Sequence, residues 1–199
     1  MAKTFAVAAV SVAANTTGFA AAQTGATFAL ALTAVTGAAG VANKVTVTNN
    51  SATNHSAKTL ALVGTGPNGE TQTETMAAPA GSTFVTSTKY WITLTSVTPS
   101  ATIGADTFGI GWAAAAVSAW FYPIVEASYF SIGFGCALIA GSPTYEVQHS
   151  FGDGNVFSHA TITAKTASSY GEYTAPISVM RLAFSVAGSV SLYAIQAST

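Results

Sequence analysis

Along much of the chain apolar and polar side chains alternate with a period of two. Lys44-Val45-Thr46-Val47-Thr48, Thr59-Leu60-Ala61-Leu62-Val63 and Trp91-Ile92-Thr93-Leu94-Thr95-Ser96-Val97 carry the pattern most clearly. Valine and threonine on a two-residue repeat suit a pleated, half-buried surface. Turn chemistry separates the runs at short intervals: Asn49-Asn50-Ser51, Gly64-Thr65-Gly66-Pro67-Asn68-Gly69, Ala78-Pro79-Ala80-Gly81 and Pro99-Ser100. No segment has a 3.6-residue apolar stripe with caps at both ends. The pattern predicts strands near 4–12, 27–35, 41–48, 58–64, 70–76, 83–88, 91–97 and 107–112, then near 117–122, 127–139, 144–151, 156–163, 177–186 and 190–196. Many short strands punctuated in this way indicate an all-β fold built as antiparallel sandwiches.

Large aromatics are scarce before Trp112 and frequent after it: Trp120, Phe121, Tyr122, Tyr129, Phe130 and Phe134. This shift predicts two tandem domains. The first is an immunoglobulin-like sandwich over 1–112 with an alanine-rich N-terminal segment, the second a jelly-roll-like sandwich over 113–199. Met1–Gln23 mimics a signal peptide, with Lys3, an apolar run and Ala20-Ala21-Ala22, but Asn15-Thr16-Thr17-Gly18 splits the run and residues 5–12 read as a strand. The apolar stretch Trp112–Val125 is broken by Ser118 and Pro123 and is shorter than the roughly 18–20 residues of a spanning helix.

Charge is what composition adds. Only 7% of the 199 residues are charged, against about 25% in an ordinary soluble domain, and the net charge is −1. Six basic residues, without clustering, make a poor nucleic-acid surface. The single cysteine, Cys136, excludes an internal disulfide and multi-cysteine metal sites. In its apolar setting it reads as a small buried hydrophobe.

Gly64-Thr65-Gly66-Pro67-Asn68-Gly69 matches G-x-G-x-x-G, but the alternating Glu70-Thr71-Gln72-Thr73-Glu74-Thr75 that follows is a strand, with Glu70 and Glu74 facing solvent. A dinucleotide site requires a helix there. His149 and His159 flank the turn Gly152-Asp153-Gly154-Asn155. If Phe151 pairs with Val156, the two imidazoles are diagonal neighbours and a metal site with Asp153 is conceivable. Separations of about 7–8 Å make polar cross-strand neighbours the preferred reading. No G-x-S-x-G or H-E-x-x-H occurs, and His149 and Ser150 point to opposite faces of one strand. Arg181, the only arginine, lies inside an apolar strand and needs a partner; a structural ion pair with Asp153 is expected, Glu146 and Glu172 being the other candidates. No catalytic, cofactor or metal residue is predicted.

In Thr59-Leu-Ala-Leu-Val-Gly-Thr-Gly-Pro-Asn-Gly-Glu-Thr-Gln-Thr-Glu74, Thr86–Val97, Ile103–Trp112, Thr144–Ser150 with Asp153, Pro176–Leu182 and Leu192-Tyr-Ala-Ile-Gln196, the chain resembles the small β-rich virion structural proteins of tailed bacteriophages, the head-decoration and minor capsid or tail-associated class. The resemblance implies a non-enzymatic virion protein that binds the major capsid protein or other virion subunits at a lattice or vertex. It also implies a homo-oligomer, with a trimer favoured, and no cofactor, nucleic acid or membrane. A surface of Ala, Thr, Ser and Gly loses little side-chain entropy on burial and strands few ions, which suits permanent contacts. Trp112, Trp120, Phe121 and Tyr122 are the expected interface. The alternatives are a host-adhesion or carbohydrate-binding module using Tyr170-Gly-Glu-Tyr173, Trp120 or Tyr122, and an outer-membrane barrel, which the aromatic-poor first half disfavours.

Overall fold

A computed structural model describes residues 3–24, 41–123 and 131–196. The described residues contain no helix, and two sheets form a β-sandwich. The larger sheet has nine strands: β1 (Lys3–Ser11), β2 (Asn15–Thr24), β3 (Val41–Asn49), β6 (Phe84–Trp91), β8 (Thr107–Ser118), β9 (Ile132–Ser150), β10 (Phe157–Ser158), β11 (Ser169–Tyr173) and β12 (Val179–Gln196). Its path runs β10-β9-β12-β8-β3-β6, with β1 on β12, β11 on β9 and β2 on β8. The smaller sheet is β5 (Thr71–Ala77), β4 (Thr59–Thr65) and β7 (Thr93–Pro99), in the order β5-β4-β7. The strand expected near 27–35 lies outside the described residues.

Among the described residues two large cores sit in this framework, with a small cluster of Ala42, Val117 and Ala183 beside them. In the first, Phe19 and Ala20 of β2, Val45 and Val47 of β3, Trp91 of β6 and Phe108 and Ile110 of β8 meet Leu60 and Leu62 of β4 and Leu94 and Val97 of β7. The two-residue repeat brings these side chains to one face of each strand. The second lies on the inner face of β9 and β12, where Phe134, Tyr145, Val147, Met180, Leu182 and Leu192 pack with Ile162, Tyr173 and Ile177. Cys136 is buried there as a free thiol, pushed up to about 12 by burial.

The boundary expected at 112 falls inside β8. The change in aromatic content marks where one continuous strand leaves the first core and enters the second, with Ile110 in one and Ala116 in the other. Nor does chain order follow the cores, because β1 pairs along Ser11↔Gly188 to Lys3↔Gln196 with the last strand. The stretches expected as pairs near 127–139 and 144–151, and near 177–186 and 190–196, are the single strands β9 and β12. Turn-type residues interrupt each pattern at its centre, but Gly141 (φ +78°) faces Gly188 across the ladder. A Cβ at Gly188 would lie 2.6 Å from Pro143 Cδ. Glycine on both strands therefore lets the pair bulge through three register shifts instead of turning.

In β5 the threonines at 71, 73 and 75 are exposed and Gln72 and Glu74 are half-buried. The Glu74 carboxylate accepts from the Thr88 and Lys89 amides at 2.6 and 3.0 Å, which ties the small sheet to β6 and corrects its expected solvent-facing position. Gly64–Gly69 closes the β4–β5 hairpin, Gly66 N–H donating to Glu70 O at 2.8 Å and Gly69 adopting φ +84°.

Candidate functional site

Four neighbouring chain segments build a concave site among the described residues. Past the end of β8, Phe121 exchanges two backbone hydrogen bonds with Met180, of 2.7 and 2.9 Å. This pairing brings Trp120 beside Arg181, and β12 pairs Arg181 with Gln148 and Val179 with Ser150. β10 then pairs Ser158 with Gln148. Alternation puts Trp120, Tyr122, Val179, Arg181 and Ser150 on one face, with Phe121, Met180 and His149 on the other. The result is an open groove of about 450 Å³ lined by Trp120, Tyr122, Ser150, Gly152, Gly154, Val156, Ser178, Val179 and Arg181.

The groove is held from both halves of the chain. Trp120 N–H donates to Asn68 Oδ1 at 2.9 Å, so the tip of the β4–β5 hairpin sets the aromatic wall. The Ser118 hydroxyl accepts from Leu182 N–H at 3.1 Å. The turn after β9 forms the far rim, with Gly152 and Gly154 at φ +88° and +83°. A Cβ at Gly154 would meet nothing within 4 Å, so the rim is low there.

Among the described residues Arg181 is the only cation lining the groove. Its guanidinium lies 4.2 Å from the centre of the Trp120 ring and 5.9 Å from that of Tyr90. Its Nε donates to Gln148 Oε1 at 2.9 Å, and no other hydrogen bond from it occurs among the described residues. Burial lowers its pKa, opposed by Tyr90 and Glu146. Glu146 is itself held by Gln148 Nε2 at 2.6 Å and Ser158 Oγ at 3.0 Å.

The expected Arg181–Asp153 ion pair does not form. Asp153 stays on its turn, where the Asn155 amide and side chain donate to it at 3.0 and 2.8 Å. Those two bonds satisfy the carboxylate locally and lower its pKa. Arg181 instead finds a neutral amide and an aromatic face. Of the four expected interface aromatics, Trp120 and Tyr122 line the groove, Tyr122 being 65% exposed. Phe121 packs against the second core. Trp112 is half-buried against the first core, meeting Phe19 edge-on at 5.2 Å and donating from Nε1 to Ala13 O at 3.1 Å. Backbone alternation turns Phe121 inward, and β2 covers Trp112.

The observed register differs from the expected one by one residue, pairing His149 with Phe157 rather than Ser158. This puts both imidazoles on the core side around Tyr173, with ring centroids 5.1 and 4.9 Å from it. His159 Nε2 donates to Glu172 O at 3.1 Å, and the Tyr173 hydroxyl and His149 Nδ1 share a hydrogen bond of 3.2 Å. Burial and the nearby His159 lower the His149 pKa. No group of three metal-ligating side chains occurs among the described residues.

Sequence reasoning assigned no role to a third cluster. Buried His55 donates from Nε2 to Asp106 Oδ2 at 2.7 Å, and the Lys58 ammonium donates to Nδ1 at 2.9 Å and to Thr102 O. With both ring nitrogens occupied, it clips the loop before β4 to the loop before β8. Its members are 51 and 3 residues apart, and no local motif links them.

A second surface feature is the outward face of β1-β12-β9-β11. One row across it reads Ala6, Tyr193, Gly135, Tyr170, and the next places Ile195 and Glu172 on either side of Gly133. A Cβ at Gly133 or Gly135 would meet nothing within 4 Å, so the glycines floor an open trough between tyrosines. Tyr170 is 88% exposed, Ile195 52%, Tyr193 44% and Val10 43%.

No family model, curated protein or solved structure matches the chain.

Proposed function

We propose that this chain is a non-enzymatic structural subunit of a tailed-phage particle, docking as an oligomer on the major capsid protein or a neighbouring virion subunit at a lattice site or vertex. The observation that carries the reading is the trough face, where Ala6, Ala8, Val10, Tyr193, Ile195 and Tyr170 surround a glycine floor and Glu172 is the only charged side chain among those described. Exposed aromatic and aliphatic side chains of this kind mark surfaces that another protein covers. The scarcity of charge along the whole chain removes most of the desolvation cost of burying such a surface.

Electron microscopy of particles with and without this gene product tests the proposal, extra density at lattice sites or at one vertex being the expected result. Light scattering on the purified chain should report an oligomer. The double variant Tyr193→Asp, Ile195→Asp should shift it to monomer and abolish particle binding. A dispersed wild-type monomer that leaves particles bare would refute it.

A second reading is favoured by one observation, the groove of Trp120, Tyr122 and Arg181. An aromatic wall beside polar groups suits a sugar ring, so the subunit would also serve as a host-adhesion or carbohydrate-binding module.

A further inference from the structure

The geometry points to a carboxylated sugar, a uronic-acid unit of an acidic polysaccharide, as the ligand of the Trp120–Arg181 groove. This inference deepens the carbohydrate-binding reading and rests on it; it does not depend on the assembly face.

Three observations carry the choice. First, Arg181 is a half-buried cation with no carboxylate within ion-pair distance among the described residues, where the one ion pair is His55–Asp106. Gln148 takes its Nε, and the two terminal amino groups make no hydrogen bond there. Those groups form the end of a planar fork, the arrangement that receives a carboxylate through two parallel bonds. Trp120 and Gln148 fix that plane before any ligand arrives, which reduces the ordering cost of binding. Second, the two carboxylates described around the groove are engaged: Glu146 by Gln148 and Ser158, and Asp153 by Asn155. Among the described residues, therefore, no carboxylate closes the end of the guanidinium fork. Third, the remaining lining fits a ring bearing hydroxyls. Tyr122 supplies an exposed aromatic side chain, Ser150 and Ser178 supply hydroxyls, and the low rim at Gly154 admits a chain running past the site. At about 450 Å³ and open, the groove accommodates one or two sugar rings.

The full chain is titrated with a uronic-acid tetrasaccharide, with the neutral tetrasaccharide carrying hydroxymethyl in place of each carboxylate, and with inorganic phosphate. Tryptophan fluorescence and calorimetry are the readouts. The expected result is saturable binding of the uronic-acid compound, with the neutral one weaker by about tenfold or more, the ratio of a charge-assisted bidentate contact. Phosphate at equal concentration should not compete. Arg181→Gln should bring the two saccharides to equal affinity, and Arg181→Lys should retain only part of the preference. Because Arg181 is half-buried, Tyr122→Ala serves as a second variant at an exposed position, weakening both saccharides several-fold with an unchanged melting temperature. Equal binding of both saccharides by wild type overturns the acidic-sugar assignment and leaves the carbohydrate reading standing. Binding of neither at about 10 mM overturns both, and full competition by phosphate reduces the site to an anion site and overturns the assignment.

Discussion

Replacing Gly111 by alanine puts a methyl group where the main chain of β2 already runs. A Cβ there would lie 1.7 Å from Asn15 O and 2.5 Å from Thr16 C. Both are backbone atoms, so no side-chain rotation relieves the overlap and β2 must lift from β8 near the Asn15↔Trp112 pair. Overpacking of this kind costs about 1–3 kcal/mol. Lifting also releases Phe19, which is fully buried and meets the Trp112 ring edge-on, for a further loss of about 2–4 kcal/mol. The expected total is about 3–7 kcal/mol, a large part of the stability of a typical domain. Gly135→Ala is the control, because the same substitution in β9 meets open space when the trough is uncovered, and both variants are therefore made in the Tyr193→Asp, Ile195→Asp background. It should leave stability within about 1 kcal/mol of that background, on the stabilising side, since glycine in a strand pays the larger entropy. Urea titration followed by circular dichroism and tryptophan fluorescence measures both. Coincident midpoints for the two variants would refute the close approach of β2 to β8, and with it the structural role of a segment whose sequence mimics a signal peptide.

Three further outcomes follow from the titrating groups. The hydrogen bond from His55, with others from Thr53 and Ser51, holds the Asp106 pKa below that of the unfolded chain. Its contribution is therefore complete above the ordinary carboxylate pKa of about 3.9 and is lost as pH falls through the lower folded value, so Asp106→Asn should flatten the acid limb of a stability-versus-pH curve. His149 has a depressed pKa, so neutral imidazole is favoured in the fold. Stability should fall as pH drops below about 6.5 towards its folded pKa, and the NMR titration of its ring should have a midpoint below that value; a midpoint above it would contradict the burial. Cys136, pushed up to about 12 by burial, should resist alkylation at pH 8 in the folded chain and react once urea unfolds it.

Period-two runs such as Thr59–Val63 located strands well, because a side chain's choice between water and core is made residue by residue along the backbone. β11 was missed, since Ser169-Tyr170-Gly171-Glu172-Tyr173 is a short edge strand with a single buried side chain, Tyr173, and no run to detect. β2 was hidden by small residues that fit helix, leader or strand alike. Of the four aromatics expected at an interface, Trp120 and Tyr122 line the groove, whereas Phe121 and Trp112 pack against the two cores. An arginine inside an apolar strand needs a partner, but the neighbours of Arg181, Gln148, Trp120 and Tyr90, lie 33 to 91 positions away and no local pattern names them.

The order of polar and apolar residues was enough to establish an all-β sandwich, the sites of most strands and the absence of a helix after the Gly64–Gly69 turn. These are properties of nearest neighbours and of a repeat two residues long. Which strand lies beside which depended on contacts between distant segments. The joining of β1 to β12, the passage of β8 through both cores and the one-residue register that brings His159 onto the face of His149 arise when long-range pairings compete for the same edges. That competition is settled by burial and by where glycine permits two backbones to approach, and only the folded chain decides it.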